Sequence, residues 1–134
     1  MGEQISYKLA FMQKTGYLHV IATGRNTKEN VAMYLADVMT ECKKRNCSRV
    51  LIEERLEGPR LKFTDVFLIA SEAASSADGT LKSISYVDMN AEGDLMKFAE
   101  TVASNRSMPV MVFTNLQDAE KWLNERDPAS SSFI

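Results

Sequence analysis

Large apolar residues alternate with smaller or polar ones at the start of the chain. Ile5, Tyr7, Leu9 and Phe11 interleave with Ser6, Lys8 and Ala10. A period of two predicts a strand with one buried face. Lys14–Thr15–Gly16 turns the chain, and Tyr17–Thr23 predicts a second strand that pairs back as an antiparallel hairpin. The period then changes. Val31, Tyr34, Leu35, Val38, Met39 and Cys42 recur every three or four residues, the single apolar stripe of a helix that ends near Asn46. Asn26 and Glu29 have the spacing of a cap and its reciprocal acid at the helix start.

Arg49–Arg55 predicts a third strand. Its Val50–Leu51–Ile52 run is apolar throughout, as expected of a parallel strand buried on both faces. Leu56–Glu57–Gly58–Pro59–Arg60 reads as a loop, after which Thr64 or Asp65 is expected to cap a helix through Ala77. Leu81–Met89 predicts a fourth strand with Ser83 and Ser85 on one face and Ile84 and Tyr86 on the other. Asn90–Asp94 reads as a turn, and Leu95, Phe98, Ala99, Val102 and Ala103 mark the next helix. Val110–Phe113, behind Pro109, is a short β-forming run. Thr114 and Gln117 have capping-box spacing directly after it, with Leu116, Ala119, Trp122 and Leu123 as the stripe of a last helix. The order ββαβαβαβα predicts an α/β fold: a mostly parallel five-stranded sheet with an N-terminal antiparallel hairpin and four helices. Residues 1–127 read as one domain and 128–134 as a disordered tail.

At 134 residues the chain is long enough for a core of its own, and 45% hydrophobic with 25% charged residues is ordinary for a globular domain. A formal charge of -2 argues against binding dominated by nucleic acid, and no apolar run approaches the ~20 residues of a membrane span. No secretion signal is read at the start, so Cys42 and Cys47 are expected to be reduced thiols of a cytoplasmic protein, and their spacing matches no zinc pattern. The opening Met1–Gly2–Glu3–Gln4–Ile5–Ser6 fits the myristoylation pattern formally, but no polybasic segment follows, and it reads as an ordinary terminus.

The element order, with Phe98–Ala99, Asn105–Arg106, Val110, Val112, Phe113, Ala119, Trp122 and Leu123 at their positions in it, resembles the STAS/SpoIIAA-like family, a fold shared with CRAL-TRIO lipid carriers. Within it the chain is most similar to a bacterial branch with no assigned activity. The resemblance implies a SpoIIAA-like fold and a non-enzymatic interaction or regulatory module. The CRAL-TRIO relation implies, as the alternative, a carrier of a small apolar ligand or lipid. Two departures stand out. The segment that carries a phosphorylated Ser in STAS regulators contains no Ser here, only Thr64, and Ser107 replaces the Gly common in the narrower group.

Ligands of parallel α/β sheets usually sit beyond the carboxyl ends of the strands. There the chain offers Arg25, Asn26, Glu53, Glu54, Arg55, Asp88, Asn90, Thr114 and Asn115, with Thr64 at the next helix start. Arg25, Asn26, Glu54, Arg55, Thr64, Asp88 and Asn90 form the candidate partner or ligand surface. His19 is the sole histidine and has no partner that the sequence identifies. No catalytic set, metal-ligand spacing or phosphate loop is present in the sequence, so neither cofactor nor metal is expected. A pocket with convergent carboxylates and a perturbed carboxyl would instead point to an enzyme.

In a sheet of sequential order the crossover helices share one side, yet both faces of the strands are apolar. Something must cover the second face: a displaced helix, a ligand or a second copy of the chain. A homodimer is the expectation, since isologous dimers are the commonest oligomers.

Overall fold

The computed structural model describes residues 7–88 and 93–126, with backbone alone at 93 and 94. The elements are β1 (Tyr7–Lys14), β2 (Tyr17–Arg25), α1 (Lys28–Lys44), β3 (Arg49–Glu57), α2 (Phe63–Ser76), β4 (Ser83–Asp88), α3 (Gly93–Asn105), β5 (Val110–Phe113) and α4 (Leu116–Glu125). This is the expected ββαβαβαβα order. The five strands lie in the sequential order β1-β2-β3-β4-β5, antiparallel for the first pair and parallel for the rest. The expected strand residue Ile5, the turn residues 90–92 and the tail 128–134 lie outside the described residues.

Three cap assignments shift. Thr27, not Asn26, caps α1, its hydroxyl accepting from the Asn30 amide at 3.1 Å. Asn115, not Thr114, caps α4, accepting from the Asp118 amide at 2.9 Å. The β-region residue before each helix is the one whose side chain can reach back to the first turn, and in both cases it stands one place later than the spacing suggested. At α2 the N-cap is Lys62, with no side-chain cap bond, and Thr64 is an exposed residue inside the first turn. Thr64→Ala is therefore expected to change stability by less than about 0.5 kcal/mol in urea unfolding, where loss of a hydroxyl cap would cost ~1 kcal/mol.

The main core lies between the sheet and α1. Leu18, Val20, Ala22, Val50 and Ile52 meet Val31, Tyr34, Val38 and Cys42. Right-handed crossovers in a sequential sheet put α1, α2 and α3 on that same side. Among the described residues no strand follows β5, so no crossover sets the side of α4, and it packs on the opposite face. There Ala119 and Leu123 bury Tyr17, Leu51 and Val87, with Phe113, Leu116 and Trp122 half-buried against them. Two buried side chains of the sheet hold the helix: Ser85 Oγ donates to the Ala119 carbonyl at 2.9 Å, and Arg49 Nη1 to the Leu123 carbonyl at 2.6 Å. The second face is thus covered over β3, β4 and β5 by a displaced helix, one of the three covers weighed from the sequence.

Candidate functional site

Successive strand residues point to opposite faces, and this separates Glu53 from Glu54. Glu54 faces the helices α1–α3. The parallel register sets it beside Asp88 on β4. Tyr34 of α1 and Tyr86 of β4 converge on it: both hydroxyls donate to Glu54 Oε1, and the two hydroxyl oxygens are 2.6 Å apart. Glu54 is buried, and that burial pushes its carboxyl up to about 7; the tyrosine hydrogen bonds pull it down and the Asp88 carboxylate raises it further. Tyr34 and Tyr86 are raised well above the usual phenol range, first by burial and then by the charge on Glu54.

Burial is what resists ionisation, and the two tyrosine hydroxyls partly offset it. Three oxygens form a triangle with three short edges. With Glu54 ionised, only the two phenolic hydrogens are available, so one edge has none. With Oε1 protonated there are three hydrogens, one for each edge in a closed ring. Glu54 therefore titrates as part of a cluster, and its neutral form leaves every oxygen satisfied.

Glu54, Tyr86 and Asp88 of the cluster line a cavity of about 580 Å³. Its walls are apolar. Val66, Ile69 and Ala73 of α2 stand on one side and Ile52, Ile84 and Val112 of the sheet on the other. The cavity exists because α2 packs chiefly on α1 and α3, leaving space above β3 and β4. Ile69 is the buried residue of α2, whereas Phe63, Phe67 and Leu68 are exposed large apolar side chains. Phe63 packs on Phe98 and the Arg106 guanidinium lies over the Phe67 ring, 5.2 Å from its centroid.

Asn26, Glu57, Gly58 and Arg60 line the rim. The Asn26 amide donates to the Glu57 carbonyl at 2.7 Å and its Nδ2 to the Pro59 carbonyl at 3.0 Å, tying the two loops together. Gly58 adopts φ +119, open to glycine and strained for other residues, which lets the chain turn from β3 toward α2.

Of the candidate surface residues, Asn26, Glu54 and Asp88 meet at this cavity. Arg25 is exposed at the end of β2, Thr64 is exposed on α2, and Asn90 lies outside the described residues. Arg55 belongs to the other face. Its guanidinium pairs with Glu53, whose Oε1 also meets His19 Nε2 at 2.9 Å. His19 thus has an acidic partner two strand positions further along the neighbouring strand. Its Nδ1 is buried with no hydrogen-bond partner among the described residues. Tyr34 and Tyr86 were not among the candidates. Tyr34 sits in an apolar stripe, and the stripe reveals the ring but not what its hydroxyl reaches. Among the described residues no cluster of His, Cys, Asp and Glu could hold a metal ion, and no helix is long and apolar enough to cross a membrane. No family model matches the chain, and no curated protein matches it.

Proposed function

We propose that this chain binds and carries a small amphiphile in the cavity beneath α2. The observation that carries the reading is an apolar cavity of about 580 Å³ whose lining also includes the clustered polar residues Glu54, Tyr86 and Asp88. Small-molecule sites commonly span about 300–1,000 Å³, with apolar walls and a few convergent polar groups. This is the carrier alternative drawn from the sequence, and it accounts for two features that an interaction module leaves unexplained: the lifted α2 and the buried acid.

Saturable binding of one long-chain amphiphile per chain is the expected result in native mass spectrometry, with loss of binding in Ala73→Phe, which fills the cavity from α2. Absence of saturable binding in a folded protein overturns the reading. The exposed Phe63, Phe67 and Leu68 then favour the regulatory module that the STAS resemblance implies.

The raised Glu54 carboxyl beside Asp88 also meets the expectation set for an enzyme. Against turnover, Oε1 already accepts from two tyrosines, so this oxygen serves as a fixed charge and not as a group that exchanges a proton with a ligand. Recovery of the bound amphiphile unchanged after prolonged incubation supports carriage; a modified product supports acid–base catalysis.

A further inference from the structure

We infer that the cavity selects an amphiphile with a protonated amine head, seated between Glu54 and Asp88 with its alkyl chain under α2. This rests on the carrier reading and adds the chemistry of the head group.

The first support is charge. Among the described lining residues, Glu54, Glu57 and Asp88 are acidic and Arg60 is the basic one, so the polar end carries more negative than positive groups when its acids are ionised. An anionic head placed beside Glu54 would lie against two carboxyls, Glu54 and Asp88. A cationic head would neutralise part of the excess, and at an apolar, water-poor site that attraction is stronger than at an exposed surface.

The second support is hydrogen. Glu54 and Asp88 stand side by side in register, and when ionised both carboxylates are acceptors only. An ammonium group carries three N–H donors on one point and accepts nothing, so it matches a site made of acceptors. A carboxylate brings acceptors alone and a hydroxyl a single hydrogen. The third support is continuity. The same space runs from these oxygens to Ile52, Ile84, Ile69 and Ala73, so one molecule can occupy both the polar end and the apolar walls.

Ligand and proton then compete for one group. Glu54 is faced by Tyr34 from α1 and by Tyr86 and Asp88 from β4, and Glu57 and Arg60 line the same cavity. Protonation closes the triangle from within and removes the negative charge that the amine needs. Amine binding should therefore tighten as pH rises through 7, while a neutral alcohol of equal chain length should show no such trend.

The test is calorimetric titration of the full chain with dodecylamine, dodecanol and dodecanoate below their aggregation concentrations, at pH 6 and pH 8. Dodecylamine is expected to bind at least about tenfold tighter than either analogue at pH 8, a difference of ~1.4 kcal/mol. It should lose that advantage at pH 6 and in Glu54→Gln. Glu72→Gln, an exposed acid of α2, controls for general attraction of a cation and should leave the preference intact. Equal binding of the three ligands, a preference for dodecanoate, or an equal loss in Glu72→Gln overturns the head-group inference and leaves the carrier reading standing. Failure of all three to bind the folded protein overturns both. Thermal melting of the Glu54→Gln protein establishes that a lost preference is not lost structure.

Discussion

Replacing Glu54 by Gln is expected to make the protein more stable at pH 8, although it removes a buried, hydrogen-bonded side chain. The folded carboxyl titrates at about 7 against an ordinary value of 4.5, because burial opposes its charge. The folded state therefore holds this proton more tightly than the unfolded chain does. The resulting stabilisation is complete below about pH 4.5, declines as pH rises from there, and is gone above about pH 7. A shift of that size corresponds to roughly 3 kcal/mol. Gln keeps a carbonyl that can accept from Tyr34 and Tyr86 but never ionises, so the variant should gain about 1–3 kcal/mol over the parent at pH 8 and little at pH 5. The Tyr34–Tyr86 edge still lacks a hydrogen in the variant, which keeps the gain below the full amount. Urea unfolding of both proteins across pH 5 to 8 isolates this group, since other acids titrate alike in each. Parallel pH profiles for the two proteins would remove the coupling argued for the cluster.

Leu123→Ala should have the largest destabilising effect on the opposite face. Leu123 is fully buried over Leu51 and Val87, and emptying such a site typically costs about 2–5 kcal/mol. The hydrogen bond from Arg49 reaches the backbone carbonyl at this position, so it survives the substitution. Leu123→Asp removes the packing and also adds a charge that cannot stay against Leu51. The expectation there is a detached α4 and an exposed apolar face, seen as concentration-dependent light scattering in a protein that keeps its strand signal. A monodisperse Leu123→Asp protein with the parent's melting temperature would show that α4 does not cover this face in solution.

The two faces differ in how far the sequence discloses them. The stripe of α1 discloses its own buried side at Val31, Tyr34, Val38 and Cys42, whereas both faces of β2 are apolar, so the face that α1 covers was not legible there. The far side was misread for a physical reason. Ser83 and Ser85 looked like the polar face of a weak strand, whereas both are buried. At Ser85 a small side chain lets a helix approach, and its hydroxyl satisfies that helix's carbonyl. Hydropathy does not distinguish a serine that faces water from one that faces a backbone oxygen. The site was half visible. Placing ligands at strand ends brought Asn26, Glu54 and Asp88 onto one list, but Arg55 and Thr64 joined it because strand parity and helix start were not weighed at those positions. The cavity itself could not be read in advance. It depends on α2 resting on its helical neighbours instead of the strands, and the apolar residues of α2 suit either arrangement.

Sequential strand order has a further consequence for how the molecule opens. Each strand's neighbours in the sheet are also its neighbours along the chain, so no pairing spans more than one helical crossover. α4 is different: it is the last described helix, and it crosses back over β4 and β3 after its strand has ended. Ten residues held by one apolar stripe and by side-chain hydrogen bonds to Ser85, Arg49 and Tyr17 form a unit that can detach while the hairpin and the central strands stay paired. Amide hydrogens of α4 should then exchange with solvent well ahead of those of β2 and β3, through a sub-global opening that leaves α1–α3 and the sheet closed.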